Sequence, residues 1–466
     1  MRILFVSSEA LPYFKSGGLA DVARALPDAL QRDGHEVRLF HPLYGFVTSH
    51  NLTLRRDLEL RVPWPNATTV RCHLHQPETA APAVLAEHAA FLDAAEPYAA
   101  TVDPLTVGMR FALFARAALH YARQWGADVI HVNDWQSGLL PVYSHVDAIR
   151  IATVFSIHNL AYQGNFPAVI LPRVGIPGAF FRTENGLEFF GQVSFIKGAI
   201  ALADRVTTVS PTYAQEIQTP AHGAGLDGLL QFRARTLHGI LNGIDVDAWN
   251  PTTDSAIAER YNSRSVESKD HNRTALLEEL QLDDGGPLVV AVSRLAHQKG
   301  MDILFAALPR LLARGASIAV LGEGDIAMEQ AFARAASANP RRIAAFFKFD
   351  DALARRLYAG GDFFVMPSRY EPCGLGQMIA QRYGTIPIVR RTGGLIDTVR
   401  DGVTGFMFDA PTADGLVDAA IRAFAFWRRK DWSALRRRCM RLDWSWSRSA
   451  QHYAEVYRAA IGPILG

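Results

Sequence analysis

The sequence predicts an α/β protein made of two doubly wound, Rossmann-like domains that face each other across a cleft. Short apolar runs alternate with segments of helical period almost throughout the 466 residues, and the same alternation restarts after a polar stretch in the middle of the chain. Runs that are apolar over their whole length and joined by helices are typical of parallel sheets covered on both faces. At roughly 100–200 residues per domain, the length fits two or three domains.

In the first half, short apolar runs predict strands at Ile3–Val6, Val37–Phe40, Val129–Val132, Ala152–Ile157 and Val206–Val209. After the first of them, apolar residues from Leu19 to Leu30 recur at helical spacing, so a helix is expected there. Pro27 lies inside this helix and is expected to kink it.

The second half repeats the pattern after residues 252–272, which are polar, show little periodicity and are expected to form a surface excursion. Strands and helices are then predicted in alternation, at Leu288–Val292, Asp302–Arg314, Ile318–Leu321, Ile326–Ala336, Ile343–Phe347, Ala352–Ala359 and Phe363–Met366. A helix from Leu375 to about Tyr383 and a strand at Ile386–Val389 follow. The two domains are expected to join near Asn242 and Gly243.

Composition excludes several classes of protein. The apolar content of 49% excludes disorder, and three scattered cysteines exclude a disulfide scaffold and fit a reducing compartment. The net charge of +2 gives no reason to expect a nucleic-acid or membrane partner. No run approaches ~18 consecutive apolar residues and no targeting segment is visible, so a cytoplasmic protein is expected.

Ligands of doubly wound sheets lie beyond the carboxyl ends of the strands, so candidate site residues are sought there. Lys15-Ser16-Gly17-Gly18 follows the first strand and opens the first helix, where glycine amides and the helix N-terminus suit an anion. The alternative is a solvated surface lysine. His158 and Asp134-Trp135 end two further strands. The histidine is either functional or simply hydrogen-bonded, and the indole either stacks on a sugar ring or packs in a turn.

At the matching place in the second half, Ser293–Gly300 follows a strand. Arg294 can grip phosphate oxygens with its planar fork, and Lys299 adds a compact positive charge. Two cations at one strand end, beside a glycine, fit a diphosphate better than a structural ion pair.

Ser368–Gln377 is the most informative segment, because its proline and glycines force a tight turn into a helix. Glu371 is expected at the start of that helix, where the dipole would hold it ionised. The N–H groups of Cys373, Gly374 and Leu375 are expected to point toward a bound ligand, and together with the carboxylate they could orient sugar hydroxyls. The alternative is a capping carboxylate, and a catalytic thiol is not expected.

Two other motifs are not expected to be functional. Gly322-Glu323-Gly324-Asp325 resembles part of a dinucleotide fingerprint but lacks the third glycine. Asp245-Val246-Asp247 spells a two-carboxylate motif that binds a metal in one class of glycosyltransferases, but no further metal ligand lies nearby in the sequence. We therefore expect neither a metal nor a cofactor.

Together these segments resemble the bacterial glycogen (starch) synthases, retaining α-glucan glucosyltransferases that use ADP-glucose. The resemblance covers essentially the whole chain. Its motifs occur in one order, at Lys15–Val22, Asp134-Trp135, His158–Gly164, Gly186–Gly191, Val209–Tyr213, Leu241–Asp245, Arg294–Gly300, Pro367–Gln377, Tyr383–Thr385, Arg390–Val399 and Asp443–Trp446.

This resemblance implies a metal-independent GT-B fold, with the acceptor side in residues 1–242, the donor side in 243–446, and a helix in 447–466 that crosses back to the first domain. It implies that Arg294 and Lys299 bind the diphosphate, that Glu371 and the following amides bind glucose, and that His158 lies near the anomeric centre. These are the expected catalytic residues. The expected substrate-binding residues are Lys15, Gly17, Gly18, Asp21, Tyr98, Asp134, Asn159, Tyr162, Asn242, Phe349, Cys373, Gly374 and Leu375.

Three departures from the family pattern stand out. Phe349 stands where family members carry a tyrosine near the nucleotide base. The phenylalanine keeps an aromatic face for stacking but lacks the hydroxyl. The loop Leu92–Tyr98 looks short and differs from the family's, which bears on acceptor contacts near Tyr98. Asn133 and Gln136 stand where histidines flank Asp134-Trp135 in many relatives.

The sequence thus predicts transfer of glucose from ADP-glucose to the non-reducing end of an α-1,4-glucan such as glycogen, with retention of configuration. One alternative is a related retaining glucosyltransferase with another acceptor, for instance one making a sucrose-type product. Another is a non-catalytic nucleotide-sugar sensor. The joint presence of Lys15, His158, Arg294, Lys299 and Glu371 argues against the sensor.

Overall fold

The computed structural model describes residues 1–47, 54–66, 68–77, 83–94, 97–98 and 102–462. The chain divides into two compact units, which we call unit 1 and unit 2. Unit 1 comprises Met1–Asn242 and Trp446–Gly466, and unit 2 comprises Gly243–Ser445. Both are built from sheets and helices, so the α/β class is confirmed. None of the described helices is both long and apolar enough to cross a bilayer.

Unit 1 contains twelve strands and ten helices among its described residues. The strands are β1 (Arg2–Val6), β2 (Glu36–Pro42), β3 (Leu54–Trp64), β4 (Thr68–Pro77), β5 (Ala83–Glu87), β6 (Val129–Asn133), β7 (Ala152–Ile157), β8 (Asn165–Pro167), β9 (Glu188–Phe189), β10 (Gln192–Ser194), β11 (Arg205–Thr208) and β12 (Leu237–Gly239). The helices are α1 (Leu19–Arg32), α2 (Ala89–Leu92), α3 (Pro104–Trp125), α4 (Asp134–Ser137), α5 (Leu140–Val146), α6 (Ile170–Arg173), α7 (Phe195–Leu202), α8 (Pro211–Glu216), α9 (Asp227–Phe232) and α18 (Trp446–Ile461).

The main sheet of unit 1 has the order β12-β11-β7-β6-β1-β2-β5-β4-β3. Its strands are parallel from β12 to β5, but β4 pairs antiparallel with both β5 and β3. The expectation of a purely parallel sheet is therefore wrong at this edge. Along β3 and β4, buried Leu60 and Cys72 alternate with exposed Arg61 and Arg71, which is the pattern of an antiparallel hairpin with one wet face and not an unbroken apolar run.

Helices α1 and α18 belong to unit 1, and each bears on an expectation from the sequence. Helix α1 continues through Pro27 to Arg32, so the proline does not end it. Helix α18, from the end of the chain, reaches the sheet through the Tyr457 hydroxyl, which lies 2.7 Å from Nδ1 of the buried His131 on β6. The last helix is thereby fixed to the centre of unit 1.

Unit 2 carries a six-stranded parallel sheet in the order β15-β14-β13-β16-β17-β18. Its strands are β13 (Leu288–Val292), β14 (Ser317–Leu321), β15 (Ile343–Phe346), β16 (Phe363–Met366), β17 (Ile386–Arg390) and β18 (Phe406–Phe408). Its helices are α10 (Lys269–Glu279), α11 (Met301–Ala313), α12 (Ile326–Ala338), α13 (Asp351–Gly360), α14 (Gly376–Arg382), α15 (Gly394–Thr398), α16 (Ala413–Trp427) and α17 (Trp432–Met440). The predicted bounds of β13 and β16 are confirmed to the residue.

The polar stretch 252–272 is not the surface excursion that its composition suggests. Tyr261 is buried and donates its hydroxyl to the Tyr383 carbonyl at 2.7 Å. Lys269 is also buried, with Nζ 2.6 Å from the Ala359 carbonyl and 2.7 Å from the Thr385 hydroxyl. Polar side chains can be buried where hydrogen-bond partners satisfy them, and hydropathy alone does not reveal those partners.

Candidate active site

Three parallel strands at the centre of unit 1 end beside one another. β1 pairs with β6, and β6 pairs with β7. Because carboxyl ends of parallel strands share one edge of the sheet, the segments that follow these strands are neighbours. They carry Lys15–Gly18, Asp134 and His158, three of the segments predicted from the sequence.

The Lys15–Gly18 loop is held by Glu9, a buried carboxylate that the sequence analysis did not single out. Its Oε2 accepts hydrogen bonds from the N–H groups of Ser16 at 2.8 Å and Gly17 at 3.1 Å, and its Oε1 accepts one from the Ser16 hydroxyl at 2.6 Å. The expectation that the Gly17 N–H faces a ligand is therefore wrong in this conformation, because a carboxylate of the chain itself occupies the loop amides.

Lys15 and Gly18 remain at the surface of this loop. Nζ of Lys15 lies 2.9 Å from Oδ1 of Asp21, and the two side chains are 37% and 32% exposed. Gly18 precedes α1, and a Cβ added to Gly17 or Gly18 would meet nothing within 4 Å. A ligand can therefore approach the loop closely from outside.

Tyr98 joins the same cluster. Its hydroxyl donates to Oε1 of Glu9 at 2.5 Å, and its ring contacts Phe14 and Trp135. Burial, with the Glu9 charge nearby, raises the pKa of Tyr98, so the phenol stays protonated. Residues 95–96 of the loop expected to be short lie outside the described residues.

His158 is fixed by two neighbours from the end of β6. Its backbone N–H donates to Oδ1 of Asp134 at 2.8 Å, and its Nε2 lies 2.9 Å from Oδ1 of Asn133. The Asn133 amide nitrogen donates to the Val6 carbonyl at 3.0 Å, so its oxygen faces the imidazole. Nε2 of His158 must then carry the hydrogen, which leaves Nδ1 as an acceptor.

Burial shifts both titratable groups of this pair toward their neutral forms. It lowers the pKa of His158 to about 4, so the imidazole is uncharged at neutral pH. It raises the pKa of Asp134 to about 7, with a smaller contribution in the same direction from the Glu9 carboxylate, while the His158 amide opposes the shift. A neutral imidazole orients a hydroxyl well, but it is a weak general base.

Two aromatic residues near Asp134 and His158, Trp135 and Tyr162, differ in how accessible their rings are to a ligand. The Trp135 indole packs against Phe111 and Phe166, and a Cβ on Gly164 would lie 2.5 Å from the indole ring. The structure thus favours packing over sugar stacking for Trp135. By contrast, Tyr162 is exposed.

Asn159 and Asn242 complete the predicted set in unit 1. Oδ1 of Asn159 accepts a hydrogen bond from the Ala161 N–H at 3.1 Å and so shapes the turn after His158. Asn242 is buried, and its Oδ1 has no hydrogen-bond donor among the described residues.

Unit 2 centres on the pair of Lys299 and Glu371. Nζ of Lys299 lies 2.6 Å from Oε2 of Glu371, and the side chains are only 16% and 5% exposed. The Ser368 hydroxyl donates to the same carboxylate oxygen at 3.0 Å. The prediction that Glu371 stands at the start of the helix is wrong, since α14 begins at Gly376 and the carboxylate contacts a lysine and a serine.

Backbone and side-chain contacts join the two loops that carry Lys299 and Glu371. The Arg369 N–H donates to the Gln298 carbonyl at 2.8 Å, and its guanidinium binds both carboxylate oxygens of Asp302 at 2.7 Å. A Cβ on Gly300 would lie 2.1 Å from the Pro367 carbonyl, so only glycine allows this approach. These contacts fix the positions of the two loops, and so of Lys299 and Glu371, relative to each other.

The turn after Glu371 exposes backbone groups of the kind the sequence predicts. Gly374 has φ of +75°, and Gln377 donates to the Cys373 and Gly374 carbonyls at 3.1 and 2.9 Å. The N–H groups of Gly374 and Leu375 have no acceptor in the described part of the chain. The Cys373 side chain is buried.

Arg294 and Phe349 lie at the ends of β13 and β15. Both side chains are exposed. The glycine segment 322–325 contacts the backbone beside Arg294, since the Leu295 N–H donates to the Glu323 carbonyl at 2.8 Å. A Cβ on Gly324 would lie 2.6 Å from the Leu295 carbonyl, so these glycines serve a close backbone approach.

Glu9, Asn133 and Ser368 are the residues that sequence reasoning missed. A signal was available for Glu9, which follows the first strand and precedes the glycine loop. Asn133 was noted only as a departure from the family, yet it sets the tautomer of His158. Ser368 gave no signal beyond its position at a strand end.

Comparison with known proteins tests the resemblance. A family model described as the starch synthase catalytic domain matches residues 2–232, and one described as glycosyl transferases group 1 matches residues 286–425. The glycogen synthase of Anaeromyxobacter sp. (strain Fw109-5) is 45% identical, over 99% of this chain and 100% of that protein. The chain belongs to the glycogen synthase family. Glycogen synthase 1 of Methylococcus capsulatus (strain ATCC 33009 / NCIMB 11132 / Bath) is 44% identical, over 99% of this chain and 97% of that protein.

Solved structures support the same family and fold. The catalytic domain of starch synthase IV from Arabidopsis thaliana, bound to ADP and acarbose, has a TM-score of 0.89 at 32% identity and covers 99% of both chains. Sucrose-phosphate synthase from Thermosynechococcus elongatus, at 20% identity and a TM-score of 0.64 over 99% of both chains, shares the fold. The predicted GT-B fold is confirmed. This member of the glycogen synthase family is a glycosyltransferase of glycogen synthesis that uses a nucleotide-sugar donor and a glucan acceptor.

Proposed function

We propose that this chain transfers glucose from ADP-glucose to the non-reducing end of an α-1,4-glucan with retention of configuration, and that it does so in the cytoplasm. The observation that carries the proposal is the buried Lys299–Glu371 pair in unit 2 of a glycogen synthase family member. Unit 2 is the donor side in this proposal, and unit 1 is the acceptor side. Three buried cysteines, none of them in a disulfide within the described part of the chain, support a reducing compartment.

Departure of the nucleoside diphosphate places negative charge on its oxygens, and fixed cations stabilise that charge most effectively. Lys299 is held in place by the clamped loops around it, and the exposed Arg294 can close on the phosphates with its planar fork. We assign both to the diphosphate. Phe349 offers an exposed aromatic face for the base.

Glucose is assigned to the turn after Glu371. The carboxylate is fixed by Lys299 and Ser368, so it can accept hydrogen bonds from sugar hydroxyls in one orientation. The N–H groups of Gly374 and Leu375 can donate to sugar oxygens, and Cys373 forms the wall of the turn.

In unit 1 we assign the neutral His158 to a hydroxyl near the reacting carbon, through the acceptor Nδ1. We also assign Asn242 to the substrate, with its side-chain oxygen as a second acceptor. The remaining groups of unit 1 that we assign to substrate are Lys15, Gly18, Asp21, Tyr98, Asp134, Asn159 and Tyr162.

Retention requires the acceptor O4 to bond to C1 on the face from which the diphosphate departs. The C1–O bond to phosphate breaks, the new C1–O4 bond forms, and the O4 proton passes to the departing phosphate oxygen. The atoms and charges balance without an enzyme nucleophile or base, which is compatible with a histidine whose pKa lies near 4. The chain supplies orientation and charge stabilisation.

The test is incubation with glycogen and radiolabelled ADP-glucose or UDP-glucose, followed by β-amylase digestion of the product. Label released as maltose, with ADP-glucose as the better donor, supports the proposal. Label in a small-molecule product identifies the alternative acceptor class, and binding of the sugar nucleotide without any transfer identifies a sensor.

Glu371→Gln probes the assignment of glucose to this turn. We expect the variant to lower kcat much more than it raises the KM for ADP-glucose, because the carboxylate orients bound glucose and the diphosphate contributes most of the binding. Steady-state kinetics with glycogen as acceptor measure this. A variant with unchanged kcat would reduce Glu371 to a structural part of the turn.

A further inference from the structure

The hairpin between β9 and β10 displays an aromatic residue in a backbone conformation that such residues rarely adopt. Phe190 has φ of +50° and Gly191 has φ of +80°. Two-residue hairpin turns with positive φ at both central positions favour Asn-Gly or Asp-Gly, and a bulky side chain there is an outlier. Strain of this kind concentrates at ligand-contacting positions.

Packing within unit 1 does not explain the phenylalanine. Phe190 is 83% exposed, and its ring meets the partly buried Phe189 edge-on, with 4.7 Å between centroids. The turn is closed by the Gly191 N–H, which donates to Oε1 of Glu188 at 2.8 Å and needs no side chain at position 190. Neither turn preference nor burial favours an aromatic ring here, which points to a contact made by its exposed face.

The ring is nevertheless held in place. Its Cε2 lies 3.3 Å from where Gly225 would carry a Cβ, and Cζ of Phe189 lies 3.1 Å from the same point. The preceding Ala224 also has a positive φ, of 49°, and its carbonyl accepts a hydrogen bond from Nε2 of Gln163 at 2.9 Å. A second strained residue thus positions the glycine against which both rings pack.

This surface is continuous with the segment that follows His158. The Ile196 N–H donates to the Gln163 carbonyl at 3.2 Å, and β8 pairs with β10, so the hairpin and the segment form one small sheet. Tyr162, the neighbour of Gln163, is also exposed. We call Tyr162, Gln163, Phe189, Phe190 and Gly225 the aromatic platform.

We propose that the aromatic platform binds a stretch of α-glucan distant from the reacting end. Sugar rings present C–H faces that pack on exposed aromatic rings, and their hydroxyls hydrogen-bond to amides such as that of Gln163. The acceptor is a polymer, so chain beyond the reacting end needs a path along unit 1. A few rings among polar groups fall well short of the ~800 Å² per partner of a stable protein interface. The inference rests on the proposed acceptor function.

The test compares Phe190→Asn with Phe232→Ala. Asparagine suits the turn, so the first variant removes the ring while keeping, or raising, the melting temperature. Phe232 is 82% exposed in the same unit at the end of α9, which makes it a matched control. We expect Phe190→Asn to weaken binding to glycogen, measured without donor by affinity electrophoresis, about five-fold, and Phe232→Ala to bind as the unaltered chain does.

A second readout separates the platform from the reacting end. The fall in kcat/KM of Phe190→Asn should be larger with glycogen than with maltotriose, because a short acceptor does not reach the platform. Unaltered glycogen binding by a folded Phe190→Asn variant would overturn the inference, as would a changed sedimentation coefficient, which would make the ring a protein contact. Weaker glycogen binding in a chain that transfers no glucose from ADP-glucose would leave the platform standing while the proposed function fails.

Discussion

The candidate sites of the two units hold buried charge in different ways. In unit 2, Glu371 is paired with Lys299 at 2.6 Å, and both side chains are mostly buried. In unit 1, Glu9 and Asp134 accept hydrogen bonds from backbone and hydroxyl groups, and Lys15 pairs at the surface with Asp21. Removing one member of a buried pair leaves an uncompensated charge, whereas Asp134, which is held by neutral donors, can take up a proton. The Lys299–Glu371 site is therefore sensitive to mutation, and Asp134 is sensitive to pH.

The glycine pairs at the N-termini of α1 and α15 also differ between the units. The sequences around Gly17-Gly18 and Gly393-Gly394 are similar, but their surroundings differ. A Cβ on Gly18 would meet open space, whereas a Cβ on Gly394 would lie 2.4 Å from the Cys373 carbonyl. One pair keeps a surface loop accessible, and the other lets two backbones touch beneath the Glu371 turn.

The largest effect is expected for Lys299→Ala. The variant loses a fixed cation at the proposed diphosphate and leaves the buried Glu371 without its charge partner. We expect kcat to fall by roughly 10²–10³, as when one preorganised donor is removed. Steady-state rates at saturating sugar nucleotide measure this, with the exposed Lys430→Ala of the same unit as control.

Lys15→Ala is the corresponding variant in unit 1, and its turnover is compared with that of Lys299→Ala. Its ammonium is partly exposed and already pairs with Asp21, so we expect a smaller loss, on the order of ten-fold. Near-normal turnover in Lys299→Ala, or a larger loss in Lys15→Ala, would reverse the ranking of the two units.

The second effect concerns the glycine pairs. Gly394→Ala would force the Cys373 backbone to move and would disturb the hydrogen bond from the Gly394 N–H to the Glu371 carbonyl at 3.0 Å. We expect it to lower the free energy of unfolding by roughly 2–3 kcal/mol, as overpacking does. Gly18→Ala, with φ of −70° and open space, should change it by less than about 0.5 kcal/mol. Urea denaturation of both variants measures the difference, and equal values would contradict it.

Much of the fold was predictable because several central strands are short apolar runs, as Leu288–Val292 and Phe363–Met366 are. The β3–β4 edge was not predicted, since its residues alternate between buried and exposed. The mostly buried helix Pro104–Trp125 was also missed, although Asp103 caps its first turn. Helix α10 was obscured by polar residues such as Lys269, whose partners are carbonyls distant in sequence.

Individual site residues were predictable where a charged or titratable side chain follows a strand in a recognisable motif, as Lys299, Glu371 and His158 do. The partners of these residues were not predictable, because they come from other strand ends. Glu9 occupies the amides of the Lys15–Gly18 loop, and Ser368 shares the Glu371 carboxylate. A strand-end motif identifies a candidate, but only the tertiary structure shows which donor or acceptor already occupies it.

The third effect depends on pH. Burial raises the pKa of Asp134 to about 7, so the folded state binds a proton that the unfolded chain has released, and stability falls as pH rises through 7. Asp134→Asn resembles the protonated form. We expect the free energy of unfolding of this variant to exceed that of the unaltered chain by an amount that grows between pH 5 and pH 7. The difference should reach roughly 1–2 kcal/mol and stay constant above pH 8.

Glu371→Gln is the matched variant in unit 2, where the carboxylate faces an ammonium. It should destabilise the chain at pH 7, the opposite sign to Asp134→Asn, because Lys299 loses its partner. Urea denaturation between pH 5 and pH 9 measures both variants. An Asp134→Asn advantage that is independent of pH would contradict the contrast between the units.

The smallest effect is expected for Asp21→Asn, which breaks the exposed Lys15–Asp21 pair. Both partners are about one third exposed, so water and salt screen their attraction, and the loss in unfolding free energy should stay below about 1 kcal/mol. The loss should shrink further in 0.5 M salt, where the Debye length is only a few ångströms. Urea denaturation at low and high salt measures this. A loss that is large and insensitive to salt would mean that Lys15 and Asp21 also form a desolvated ion pair, and the proposed difference between the two candidate sites would no longer hold.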